Sequence, residues 1–111
     1  MTRAALHAAM AVIGLGLTMT AGRLPAGAAE ARVAIDGFVF APSRLTIKAG
    51  TIVIFDNADD SPHTVVAEGG TFQSPALDTG DKFSFTFTTA GRFAYYCGLH
   101  PHMQGVIVVE P

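Results

Sequence analysis

Strand-like segments and turn residues alternate from Val33 to the end of the chain, and no window there carries a convincing helical period. Seven short segments, each β-branched or aromatic, are bounded by Gly, Pro, Asn, Asp or Ser. They are Val33–Asp36, Arg44–Lys48, Thr51–Asn57, His63–Ala67, Lys82–Thr88, Gly91–Cys97 and Gln104–Glu110. In Phe83-Ser84-Phe85-Thr86-Phe87-Thr88 rings and hydroxyls alternate strictly, so the three rings point one way into a core and the hydroxyls face water. Ile52–Phe55 and Val106–Val109 are continuously apolar, as expected of core strands covered on both faces or near a sandwich edge. Turns at Ala49-Gly50, Gly69-Gly70, Thr79-Gly80 and Ala90-Gly91 leave gaps too short for crossover helices. Consecutive strands should therefore pair antiparallel. The pattern predicts an all-β sandwich with antiparallel strands and no substantial helix.

The first 28 residues read differently. Arg3 supplies one early positive charge, Ala8–Leu17 is apolar, and Pro25-Ala26-Gly27-Ala28-Ala29 offers an Ala-x-Ala cleavage site. The apolar run is shorter than the ~20 residues a membrane-spanning helix needs. Residues 1–28 are thus expected to be a secretory signal peptide, cut after Ala28, with residues 29–111 as one folded domain. An uncleaved anchor is the alternative, which Arg23 and Pro25 oppose by interrupting the run. Losing Arg3 and Arg23 leaves five basic residues against all nine acids. With no basic run to neutralise a row of phosphates, nucleic acid is a poor partner, and stable membrane insertion is not expected after cleavage.

Of the 111 residues only one is Cys, so no internal disulfide can form, and a free thiol in an exported protein is an oxidation liability unless something occupies it. Beyond residue 28 the chain keeps one Cys and one Met, Cys97 and Met103, with His100 and His102 between them on one predicted loop. Hard cations want oxygen; Cys with two His and a weak axial Met is the donor set of an electron-transfer copper site. A further ligand has to come from elsewhere. His63 follows the Asp56–Pro62 turn, and in a sandwich two such loops can meet at one end. On the residues alone either His100 or His102 could serve.

Pro62-His63 after an Asn57-containing turn, and Cys97-x2-His100-Pro101-x-Met103 closing onto Gly105–Val109, resemble the cupredoxins. The compact loop is most similar to that of amicyanin and plastocyanin-like blue copper proteins. The resemblance spans the whole of residues 29–111 and implies a Greek-key β-sandwich with one type 1 copper ion, held by His63, Cys97, His100 and Met103. It prefers His100 over His102. It also implies a soluble periplasmic protein, not an enzyme, that shuttles single electrons between redox proteins such as a c-type cytochrome or a dehydrogenase. Such carriers are expected to be monomers. Thr64 departs from the pattern, since many members carry Asn there to tie the two copper loops together. Its hydroxyl can still hydrogen-bond. His100, among Gly98, Leu99 and Pro101, is the expected electron port, with an apolar rim for docking.

Two other functions compete. In a copper carrier or scavenger the metal would be cargo. A thiol enzyme would use Cys97 as nucleophile with His100 or His102 as base, but the chain is short for a substrate pocket and shows no oxyanion motif. Tyr95 and Tyr96 are expected to pack, one inward and one outward, and the Asp56, Asp59 and Asp60 turn to be a solvated loop.

Overall fold

The computed structural model describes residues 29–111, so the expected leader and its cleavage site lie outside the described residues. Eight strands follow one another: β1 (Ala29–Asp36), β2 (Val39–Ala41), β3 (Arg44–Lys48), β4 (Thr51–Asn57), β5 (Val66–Ala67), β6 (Lys82–Phe87), β7 (Gly91–Tyr96) and β8 (Gln104–Glu110). They form two four-stranded sheets, ordered β2-β1-β4-β6 and β3-β8-β7-β5. Among the described residues there is no helix. The all-β sandwich is as the alternation predicts.

Strand direction needs a correction. β1 pairs parallel with β4, and β3 parallel with β8, while β1·β2, β4·β6, β5·β7 and β7·β8 are antiparallel. The short turns do reverse the chain, but several of them carry it from one sheet to the other. The link at Ala49-Gly50 joins β3 in one sheet to β4 in the other, and the link before Gly91 does the same for β6 and β7. Each strand then finds its ladder partner far along the sequence. Direction is set by how many reversals intervene, not by the nearest turn.

Side chains alternate as the pleat requires. Along β4, Val53 and Phe55 are fully buried while Ile52 and Ile54 are half-covered on the outer face. Along β8, Ile107 and Val109 are inward and Val106 and Val108 half-covered. The continuous apolar runs are therefore one-sided core strands at the middle of each sheet. From β6, Phe87 is buried, with Phe83 and Phe85 packed beside it against the core. Tyr95 is sealed inside and Tyr96 half-exposed. Phe72, from the irregular segment between β5 and β6, stacks edge-on to Phe87 at 5.5 Å and lies 5.1 Å from Phe85. That places its ring between the sheets.

Two local departures bear on the site. The segment expected as one strand over His63–Ala67 is a ladder only at β5. His63 instead forms an isolated bridge with Leu77, exchanging backbone bonds of 3.0 and 2.7 Å. The second departure is β2, which joins β1 through the two-residue turn Gly37-Phe38. Asp36 faces Val39 across it, and both turn residues have positive φ, 64° and 62°. That is a type I′ hairpin, whose twist matches the flanking strands.

Candidate metal centre

Four chain segments meet at the end of the sandwich where β1, β4 and β7 finish and β8 begins. The β4 end is built by Asn57, which is fully buried. Its amide donates to Ser61 O at 2.9 Å and Leu77 O at 2.8 Å, and its side-chain oxygen accepts from Asp59 N at 2.9 Å. One side chain thus shapes the turn that delivers His63. The opposite loop, from Cys97 to Met103, closes on itself. Cys97 N donates to Met103 O at 3.0 Å, His100 N to Cys97 O at 3.2 Å, and Met103 N to His100 O at 2.9 Å.

Within this frame Cys97 Sγ lies 3.6 Å from His63 Nδ1 and 3.7 Å from His100 Nδ1. The three donor atoms all lie within 4.8 Å of one another. Two ligands bound to one first-row ion at ~2.0 and ~2.3 Å, about 120° apart, would themselves be ~3.7 Å apart. The spacing is that of donors able to hold a single ion. His63 and Cys97 are fully buried and His100 is half-exposed. Met103, 2% exposed, closes the same loop. His102 is exposed and outside the donor cluster.

Thr64 stands in place of the expected Asn. Its hydroxyl accepts from Gly98 N at 2.7 Å, and its own amide donates to Cys97 Sγ at 3.4 Å. Both loops are therefore laced together by one residue. The close approach needs Gly98, because a Cβ there would lie 2.8 Å from the Thr64 hydroxyl.

Two residues that the sequence reading left out of the site belong to it. Asp59 is not a solvated turn acid: its side chain is 13% exposed, and Oδ2 lies 2.9 Å from His63 Nε2 and accepts from Phe38 N at 3.0 Å. With the His63 Nε2 proton directed at the carboxylate, the Nδ1 lone pair is left for a metal. The His63 hydrogen bond is the main reason the Asp59 carboxyl is held below its usual range; partial burial opposes this, and the Phe38 and Asp60 amides add to it. Phe38 packs edge-on against both imidazoles, its centroid 5.2 Å from His63 and 4.9 Å from His100. Asp36-Gly37 between apolar flanks was the available signal for this hairpin. Nothing in the sequence aimed its second turn residue at the histidines.

The donor chemistry agrees with comparison to known proteins. The cupredoxin-like domain family matches this chain over residues 8–109. Amicyanin-alpha of Methylorubrum extorquens is 32% identical across 96% of this chain and 97% of its own length. The chloroplast plastocyanin of Tetradesmus obliquus is 31% identical across 97% of this chain and 81% of its own. Among solved structures, a purple cupredoxin from Nitrosopumilus maritimus superposes with a TM-score of 0.68 at 33% identity, covering 72% of this chain and 99% of that one. An amicyanin variant in its Cu(I) form gives 0.70 at 30% identity, covering 73% and 82%. The chain belongs to the cupredoxin-like family. Its cofactor is copper, which suits the soft sulfur and imidazole donors gathered here.

Proposed function

We propose that this protein is a one-electron carrier of the type 1 blue copper class, in which Cys97, His63, His100 and Met103 would hold the copper ion. The convergence of two imidazole nitrogens on the Cys97 sulfur at 3.6 and 3.7 Å carries the reading. When bound there, copper supplies the chemistry by alternating between Cu(I) and Cu(II). The chain's own part is to keep the donors still. His63 is fixed by its backbone bridge to Leu77 and by Asp59, Cys97 by the Thr64 amide, and His100 and Met103 by the closed loop. A donor set that barely moves suits neither valence fully, so little rearrangement accompanies electron transfer. His100 is the ligand nearest solvent, between exposed Leu99 and Pro101, and serves as the port.

We place residues 1–28 as a cleaved export signal, and the working protein in the periplasm as a soluble monomer without catalysis of its own. Its partners are redox proteins, a c-type cytochrome or a dehydrogenase being the classes that the family likeness suggests. The amicyanin and plastocyanin relatives support an electron-transfer role. Adding Cu(II) to residues 29–111 should produce the intense thiolate-to-copper visible band, and reversible reduction should bleach and restore it. Cys97→Ser should abolish the band. A wild-type domain that binds copper without that band, or releases it on each redox cycle, would make the metal cargo and defeat the proposal.

A further inference from the structure

Phe38 combines features that packing alone does not explain. It is a bulky residue with φ of 62°, in the left-handed region that a non-glycine side chain rarely adopts. As the second residue of a type I′ turn it stands where Gly or Asn is usual. It is 42% exposed, one of three large apolar side chains so exposed among the described residues. Strain held at an exposed position needs a local restraint, and the structure supplies one. The Phe38 amide donates to Asp59 Oδ2 at 3.0 Å, the same oxygen that lies 2.9 Å from His63 Nε2.

The ring's position gives the strain its use. Phe38 meets His63 at 84° and His100 at 85°, with centroids 5.2 and 4.9 Å away, and the two imidazoles are themselves 5.0 Å apart. The three rings form a nearly equilateral triangle. Each imidazole receives an edge-to-face contact, the arrangement aromatic quadrupoles favour. Its outer surface meets solvent while its inner surface covers the histidines.

We infer that Phe38 is a positioning residue for the copper centre: a cap, locked by Asp59, that holds the His63 and His100 rings in place and keeps small solutes from the metal between them. This rests on the copper reading above. Without the ring His100, the more exposed of the pair, is free to swing off the metal and admit a competing ligand. Asp59 then couples two restraints, because one carboxylate orients the buried histidine and fixes the backbone that caps the other.

The test uses the copper-loaded domain and two probes, bathocuproine disulfonate acting on the Cu(I) form and azide on the Cu(II) form. Phe38→Asn and Phe38→Gly tolerate the turn's positive φ and remove the ring, and Phe38→Tyr keeps it. Loss of two edge-to-face contacts should speed chelator capture of copper by about tenfold or more in the Asn and Gly variants. Azide should perturb their paramagnetic resonance spectrum but not that of wild type. The Tyr variant should restore wild-type behaviour to within about twofold, as expected if the ring and not the backbone is the cap. Capture no faster than about twofold in both ringless variants, with spectra indifferent to azide, overturns the inference while leaving the copper site intact. A wild-type domain that never develops the copper band overturns the underlying reading instead, and this inference with it.

Discussion

The lacing of the two copper loops through Thr64 can be tested without any metal. Thr64→Val keeps the shape of the side chain and deletes the oxygen that accepts from Gly98 N at 2.7 Å. Gly98 is exposed, so water can reach its freed amide, and the loss falls within the ordinary range for one hydrogen bond, about 1 kcal/mol. In a domain of this size that lowers the melting temperature by ~4–8 °C. Thr64→Ser retains the acceptor and should melt within ~2 °C of wild type. Gly98→Ala attacks the same contact from the other side, since its Cβ would lie 2.8 Å from the Thr64 hydroxyl and 3.4 Å from a Val66 methyl. Combined with Thr64→Ala, which removes the oxygen, Gly98→Ala should cost less than it does alone. A double-mutant cycle by urea denaturation should show coupling of at least ~0.5 kcal/mol. If Thr64→Val melts like wild type and the cycle is additive, the hydroxyl is not what joins the loops.

Four further outcomes follow from Tyr95, Gly105 and Asp59. Tyr95 is fully enclosed and its hydroxyl has no hydrogen-bond partner, so Tyr95→Phe should raise stability by about 1 kcal/mol; a loss of that size in urea denaturation would show that the hydroxyl is satisfied. Burial pushes this phenol above its ordinary range, so it stays protonated in the folded state while the unfolded phenol ionises above ~10, and stability falls as pH rises past that point; Tyr95→Phe should flatten the alkaline fall in melting temperature. Gly105→Ala would drive a Cβ into Tyr95 Cζ and Oη, and to 2.9 Å from Cε2, so it should cost ~1–3 kcal/mol or more, and unchanged melting would refute the fit. Because Asp59 is held low in the folded state, its contribution is present above an unfolded pKa of ~3.9 and fades as pH falls further. The stability gap between wild type and Asp59→Asn should therefore narrow on acidification, and a gap that stays constant down to pH ~2 would contradict the His63 pairing.

The candidate donors stand out in the sequence because their chemistry is conspicuous. A single Cys and a single Met beyond residue 28, spaced by histidines on one loop, leave few roles open. The core strands were legible because burial of one face imposes a period of two, and β3, β4 and β8 begin and end where the alternation says. Strand pairing was not, because whether a short turn folds back within a sheet or crosses to the other depends on contacts distant in sequence. Ala49-Gly50 looks like a hairpin turn and is a crossing between sheets.

Asp59 and Phe38 were hidden for a different reason. A carboxylate in an Asp-rich turn and an aromatic residue after Gly37 have unremarkable local explanations, a solvated loop and a stray apolar position. Their roles exist only because β1 runs parallel to β4, with Ile35 level with Asn57 and the Ala58 amide bonded to Ile35 O at 2.9 Å. That register sets the β1–β2 hairpin beside the turn carrying Asp59 and His63. An antiparallel β1–β4 pair would have sent the hairpin to the far end, leaving Asp59 without Phe38 and the histidines without a cap. The parallel pairing missed at the level of topology is therefore what surrounds the candidate donors, and a chain with the same donors but a different strand direction would leave that cluster more open.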